Sequence, residues 1–480
     1  MSDSSISRRN FFGMGVGAVA TAGLAPLAFT KPAYASTSSS LGQSSLAQDA
    51  ENYQSSIQKA FAFQEMMMDA YATGETIRLT QSYSDQALGA TAFTYDNAVS
   101  IHAYLVHGRP DDLARAQVLG NGLIYAQANN FPFNDGRFAQ GYFVNVAATD
   151  GSGAFITPAA FPFFFYTSAV GDQAWAGMAL AQLYRRTGES KYLTAALKVA
   201  NWIVTNTFNT LGAGGYSFGT NINQFNESVP STNGKSTEHN IDTYAFFTML
   251  VELTHNGKAS NGSSWSSLAQ HALTFVIAMF NQAGGYFYTG TLGDQITINP
   301  SPIPEDCQTW SYLALLDNQY KHTIDWALAN LQATDTASAP DSSLTGSETI
   351  TGMVFDTASL TTTAFDPNAV WLEGTAHTVA ALVARTIAGR ESLPSLFKDL
   401  STAISFLNQS QKAQSELGAG QTVNGKVIPL GEGLLASTSV MDTGFGFTYG
   451  PSLHIGATGW YLIAALGGNP FQLGYASIGR

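Results

Sequence analysis

Cysteine is nearly absent: Cys307 is the only one in 480 residues, so no intramolecular disulfide can form and the fold needs no oxidising compartment. Charge is scarce as well, at 11% of residues, and basic charge scarcest, with 21 Lys and Arg against 34 Asp and Glu for a net −13. An acidic balance of this kind repels nucleic acid and anionic lipid, and excludes both as partners. No His-x3-His or comparable spacing occurs, so neither a metal nor a cofactor is expected. Long hydrophobic runs are missing except for Phe11 to Thr30, which is rich in Gly and Ala. That run follows Arg8-Arg9 and precedes Ala33-Tyr34-Ala35. The pattern reads as a twin-arginine export signal, residues 1–35, cut before Ser36, rather than a retained anchor. The expectation is a periplasmic or extracellular protein, exported already folded, with no stable membrane association after cleavage.

What is present is apolar and periodic. Hydrophobic residues make up 45% and aromatics 12% of the chain, enough for a large core. Beyond a Ser-rich linker (36–49), helical periodicity recurs about twelve times. The helices alternate between two kinds. One opens on a polar or acidic cluster and is then apolar on nearly all sides, as a helix buried on both faces must be; the other is amphipathic. Starts of the first kind fall near Thr94, Asp172, Ser236, Glu305, Asn368 and Ser452, 63 to 84 residues apart. Such a loose repeat predicts an all-α (α/α)6 toroid, six inner and six outer helices in one domain over 50–471, followed by a tail, 472–480. Three glycine-aromatic turns, "NNFPFNDGRF", "GAGGYSFGT" and "QAGGYFYTG", follow outer helices. Their glycines suit helix ends, and their rings are expected at the rim, where they could stack on sugars.

This alternation, with "GDQAWAGMALAQLYRRTGESKYLTAALKVANWI", "STEHNID", "VWLEGTAHT" and "HIGATGWYLIAALGGNPF", resembles the six-hairpin glycosidase superfamily of carbohydrate-active enzymes from about Ala50 to Phe471. The resemblance implies a funnel at the N-terminal ends of the inner helices, lined by carboxylates and aromatics, with a carbohydrate as the partner.

The residues themselves point the same way. Asp96, Asp172, Glu238, Asp242, Glu305, Asp306, Glu373 and Asp442 stand near predicted inner-helix starts. Any one of them could simply complement a helix dipole, worth roughly 0.3–1 kcal/mol. Together, in a charge-poor chain, they would gather carboxylates at one mouth, and glycosidic cleavage needs a pair of carboxyl groups. Glu238, in the tight Glu-His-Asn cluster, is expected as general acid and Asp306 as base, with Asp96 an alternative base and Glu373 an alternative acid. With Asp366 as cap and Pro367 as first helical residue, Glu373 would lie nearly two turns in, beyond the dipole's reach. Substrate contacts are expected from Asp172, Asp242, Asp442, His239, Asn240, His377 and His454, and from Tyr95, Trp175, Trp310, Trp371 and Tyr449. Trp460 and Cys307 are expected in the core. Two other functions fit the same toroid: a polysaccharide lyase or sugar epimerase using Tyr449 or His454 as base, and a glycan-binding protein without turnover. A terpene cyclase does not fit, because the Asp-rich "RPDDLAR" opens an outer helix.

Overall fold

A computed structural model describes residues 40–130, 132–144, 157–158, 167–223, 227–389 and 391–474. The export signal expected at 1–35 lies outside them. Twelve α-helices run along the described chain: α1 (Ser40–Met68), α2 (Thr94–His107), α3 (Pro110–Ala128), α4 (Val170–Thr187), α5 (Ser190–Thr207), α6 (Thr237–Leu253), α7 (Trp265–Ala278), α8 (Asp306–Leu315), α9 (Thr323–Asn330), α10 (Leu372–Ala388), α11 (Leu393–Glu416) and α12 (Ile455–Ala465). The even-numbered helices touch in the order α2, α4, α6, α8, α10, α12 and back to α2. This closes a ring. Each odd-numbered helix packs outside it, α1 against α12 and the others against the inner helix beside them in sequence. The (α/α)6 toroid is therefore the observed fold.

Inner helices are apolar all round because both faces are covered: every residue of α12 is buried, and α8 buries all but its last. The outer α5 keeps a polar face. Turns between partners are short where glycine ends the inner helix; Gly108 and Gly188 adopt φ of 71° and 73° and return their N–H groups to Tyr104 and Tyr184.

One device repeats six times. Near the start of each inner helix a polar side chain accepts the backbone N–H of the loop arriving from the preceding outer helix. Asn97 takes Thr80 (2.7 Å), Gln173 takes Phe138 (2.7 Å), Asn240 takes Tyr216 (2.8 Å) and Gln308 takes Phe287 (2.8 Å). Thr375 takes Met353 and Thr458 takes Leu434, both at 2.9 Å. The four amides also donate back to the same residue's carbonyl. Each clasp satisfies buried backbone that no strand partner could reach, and fixes the loop against the inner-helix mouth.

The axis of the ring is filled by aromatics. Trp175, Trp310 and Trp460 meet at centroid distances of 5.2–5.9 Å. Phe471, just after α12, packs on two of them at 5.3 and 5.4 Å. The toroid is plugged below its mouth.

Three boundaries differ from expectation. Helix α1 begins at Ser40, inside the segment expected as linker. Residues 472–474 are tied to the body, Gln472 donating to Leu313 and Ala314 and the Gly474 N–H reaching Gln182. Most consequentially, α10 starts at Leu372 with Trp371 as N-cap. Asp366 caps no helix: its Oδ1 accepts the Asn368 N–H. The chain up to Trp371 is held by Thr438 and Met353 instead. Glu373 is thus a first-turn acid.

Candidate active site

Each inner helix brings one titratable group to the mouth within its first turn or at its cap: Asp96, Asp172, Glu238, Asp306, Glu373, and His454 as N-cap of α12. Helix N-termini favour carboxylates, and six parallel N-termini aim at one point. Their mutual influence shows how close they lie. Burial pushes the Glu238 carboxyl well above its usual range, and Asp306, Asp172 and Glu373 push it further. Burial and Asp96 lift Asp172 to about 8. Both are surrounded by protein yet still touched by solvent, while Asp96, Asp306 and Glu373 are buried. That is the geometry of a depression with Glu238 and Asp172 at its surface.

Glu373 shifts in the opposite direction from Glu238 and Asp172. Burial opposes its charge, but His377, His454 and the Tyr95 hydroxyl outweigh burial and leave its carboxyl below the ordinary value. Tyr95 donates to Oε1 and receives the Trp460 indole N–H at 2.7 Å. His377 Nε2 lies 3.6 Å from Oε1 and His454 Nδ1 3.7 Å from Oε2, both too long for hydrogen bonds. On its other side, His377 Nδ1 meets Glu305 at 3.1 Å, and Thr378 donates to the same carboxylate. Burial disfavours a charged ring, yet Glu305 and Glu373 raise His377 to about 9. His454 reaches Asp96 through Nε2 at 3.0 Å and accepts the Ala457 N–H at Nδ1, which puts its proton on Nε2. Tyr83 stacks on it at 4.2 Å. A Cβ on Gly456 would stand 2.6 Å from His454 Cε1 and 2.7 Å from Asp96 Oδ1, so only glycine lets this pair close.

Asp306 and Asp242 are raised, as Glu238 and Asp172 are. Burial and Glu305 raise Asp306 to about 7 against the pull of His377 and the Cys307 amide. Asp242 is fully buried with neither oxygen hydrogen-bonded. Burial, Glu238, Asp306 and Asp172 raise it strongly, opposed only by the nearby Trp175 indole. Tyr449 keeps its phenolic proton, since burial and the four carboxyls of Glu373, Asp96, Glu238 and Asp306 all resist its loss. A tyrosine base would need the opposite environment.

The residues expected at the site divide accordingly. Asp96, Asp172, Glu238, Asp242, Asp306, Glu373, Tyr95, His377, Tyr449 and His454 come together, with Trp371 beside them, stacked on Tyr449 at 6.1 Å. Asn240 does not join them, because its amide is consumed by the Tyr216 clasp. Trp175 and Trp310, 1% and 2% exposed, belong to the plug with Trp460; no sugar ring can reach them. His239 is buried against Phe218. Asp442 binds the Gly444 N–H and the Thr362 hydroxyl and so shapes a hairpin. Tyr216 of the glycine-aromatic turn is fully buried, not a rim platform. Two groups near the acids had no sequence signal: Tyr83, and Asp356, raised to about 7 chiefly by burial, whose Oδ2 is buried without a partner. Both sit on loops. Among the described residues, no group of three or more His, Cys, Asp or Glu is arranged to hold a metal ion, and no helix is long and apolar enough to cross a membrane.

No family model matches the chain, and no curated protein does. Solved structures do. A glycosidase variant in complex with glucose superposes with a TM-score of 0.54 at 11% identity, over 88% of this chain and 98% of its own. An α-mannanase of glycoside hydrolase family 76 from Bacteroides thetaiotaomicron gives 0.50 at 13% identity, covering 86% and 95%. What these structures share with the chain is the fold, a toroid of inner and outer helices. A second family 76 glycoside hydrolase, from a bovine strain of the same species, gives 0.50 at 12% over 87% and 77%. The likeness concerns the path of the six hairpins; the chemistry rests on the acid ring at their mouth.

Proposed function

We propose that this six-hairpin protein is an exported glycoside hydrolase acting on a neutral poly- or oligosaccharide, with Glu238 as general acid and Glu373 as its charged partner. The observation that carries this reading is a pair of carboxyls in one ring whose surroundings push them in opposite directions, Glu238 up and Glu373 down. Opposed environments of this kind assign acid and base. As the glycosidic C–O bond breaks, the Glu238 proton passes to the departing oxygen. Glu373 either takes the proton of the attacking water or itself bonds to the anomeric carbon, and the anomer first released distinguishes the two. Asp306, expected from sequence as the base, is lifted to about 7 by burial and Glu305, a value that also serves a base at neutral pH; Glu373 is preferred here because its surroundings oppose those of Glu238.

Neutrality of the substrate follows from charge. Beside these acids stand the imidazoles of His377 and His454, both already committed to carboxylates. A uronic acid or sulfated sugar would find carboxyls there and no uncommitted imidazole to pair with it. The twin-arginine signal supports action in the periplasm or outside the cell, and sequencing the N-terminus of the exported protein should begin at Ser36. The decisive assay incubates the purified protein with neutral glycans, α-mannans and α-glucans included, and measures new reducing ends. Binding without cleavage across the panel would replace the hydrolase with a glycan-binding protein.

A further inference from the structure

The hairpin Met441–Tyr449 carries two rings that the acid ring does not use. Phe445 and Phe447 are 45% and 50% exposed, although the turn that bears them is tightly tied. Met441 pairs with Tyr449 and Asp442 with Thr448. Asp442 Oδ1 accepts the Gly444 N–H at 2.9 Å, its backbone oxygen accepts the Ser359 hydroxyl at 2.6 Å, and Thr443 donates to Phe447 O at 2.6 Å. Gly444 and Gly446 take φ of 68° and 86°, bending the chain sharply on each side of Phe445. A Cβ on Gly444 would stand 2.8 Å from Ala358 Cβ and 2.9 Å from Asp356 Oδ2, so the tip is pressed against the Asp356 loop. Folding gains nothing by holding two phenyl rings in water on a rigid turn; a ligand does.

The rings also lead somewhere. Phe447 lies 5.7 Å from Tyr449, and Phe445 and Phe447 lie 6.1 and 6.2 Å from Phe355. Phe355 packs on Trp371 at 4.7 Å, and Trp371 stacks with Tyr449. The Tyr449 hydroxyl feels all four of Glu373, Asp96, Glu238 and Asp306. An aromatic path therefore runs from solvent to the reacting carboxyls.

We propose that Phe445 and Phe447 form an outer subsite that stacks a pyranose unit of the glycan beyond the sugars held over the acids. This rests on the glycosidase reading of the same site and deepens it. The C–H face of a pyranose is apolar and faintly positive, and suits the negative face of a phenyl ring. The two rings bring no hydrogen-bonding group of their own, so this subsite selects ring shape and chain length over hydroxyl pattern. Polymers are then better substrates than short oligosaccharides.

The test compares wild type with Phe445→Ala, Phe447→Ala and the double variant on a polymer and on the shortest oligosaccharide that wild type cleaves. The ratio of kcat/KM between polymer and oligosaccharide should fall roughly three- to tenfold for each ring lost, through KM, with Tm unchanged because the rings are exposed. An unchanged ratio overturns the subsite and leaves the hydrolase intact. Polymer binding is measured in parallel by affinity electrophoresis, which needs no turnover. Retardation that the double variant loses supports the subsite even if no glycan is cleaved, the outcome that defeats the hydrolase reading; absence of both cleavage and retardation overturns the two together.

Discussion

Replacing Glu373 by Gln keeps the shape of the side chain and removes a site acid whose carboxyl is held below its ordinary value. Two effects should follow. First, His377 loses one of the two carboxylates that hold its proton, the one 3.6 Å from Nε2, and keeps Glu305 at 3.1 Å from Nδ1. An opposite charge at such range is worth about one to three pKa units. The imidazole should therefore drop from about 9 to roughly 6–8, as read by nitrogen-detected NMR of the histidine side chains. At about 1.4 kcal/mol per unit, the lost coupling is large enough to lower Tm at pH 7, though not to unfold the protein, because Glu305 still pairs the ring. Second, turnover should fall by about 10²–10⁴, the usual contribution of an acid-base group. Retained turnover within about threefold, or a His377 titration that does not move, would refute the electrostatic account of this carboxylate.

Glu238→Gln should lower turnover by at least about 10²-fold while leaving Tm within a few degrees, since it removes a proton donor from a crowd of acids and breaks no ion pair; easy unfolding with normal specific activity would mark Glu238 as a mere helix-start acid. Thermal stability should decline as pH rises from about 5 to about 9. His377 at about 9 against 6.5, Asp172 at about 8 and Asp306 and Asp356 at about 7 against 3.8 are all raised on folding, so their contribution is present at low pH and lost as pH climbs through the folded values. Scanning calorimetry showing maximal Tm at pH 9 would contradict this. Gly456→Ala should cost about 1–3 kcal/mol by overpacking and part His454 from Asp96, visible as loss of the coupled His454 titration; a silent substitution would mean the pair is not tightly closed.

The toroid was legible because both faces of an inner helix are covered, which erases the polar stripe and leaves an unmistakable apolar run after each acidic start. The acids at those starts were legible for the same reason. What the pattern could not separate was two purposes packed into one cluster: in "STEHNID" Glu238 faces the mouth while Asn240 ties down Tyr216, and in "PEDCQTW" Asp306 and Gln308 divide the work in the same way. The start of α10 was misplaced because Asp366-Pro367 has the local form of a cap, whereas the chain there is claimed by Thr438 and Met353, distant in sequence. Tyr83, Asp356 and the exposed Phe445 and Phe447 lie on loops, where position is set by such long-range partners and no periodicity announces it. Trp175 and Trp310 sat near helix starts as expected, but on the side that faces the axis.

Closure through α12 has a consequence for how the protein comes into being. The last inner helix brings His454 to Asp96, seats Trp460 beneath Tyr95 and gives α1 the surface it packs on. A chain still emerging from the ribosome and ending at α11 would hold five of the six mouth groups around an open gap, with Asp96 unpartnered and an apolar slot the length of a helix facing water. Sequence-distant contacts such as α1 with α12 carry a loop-closure cost that slows folding. The acid ring is thus complete only once α12 has docked against α2 and α10.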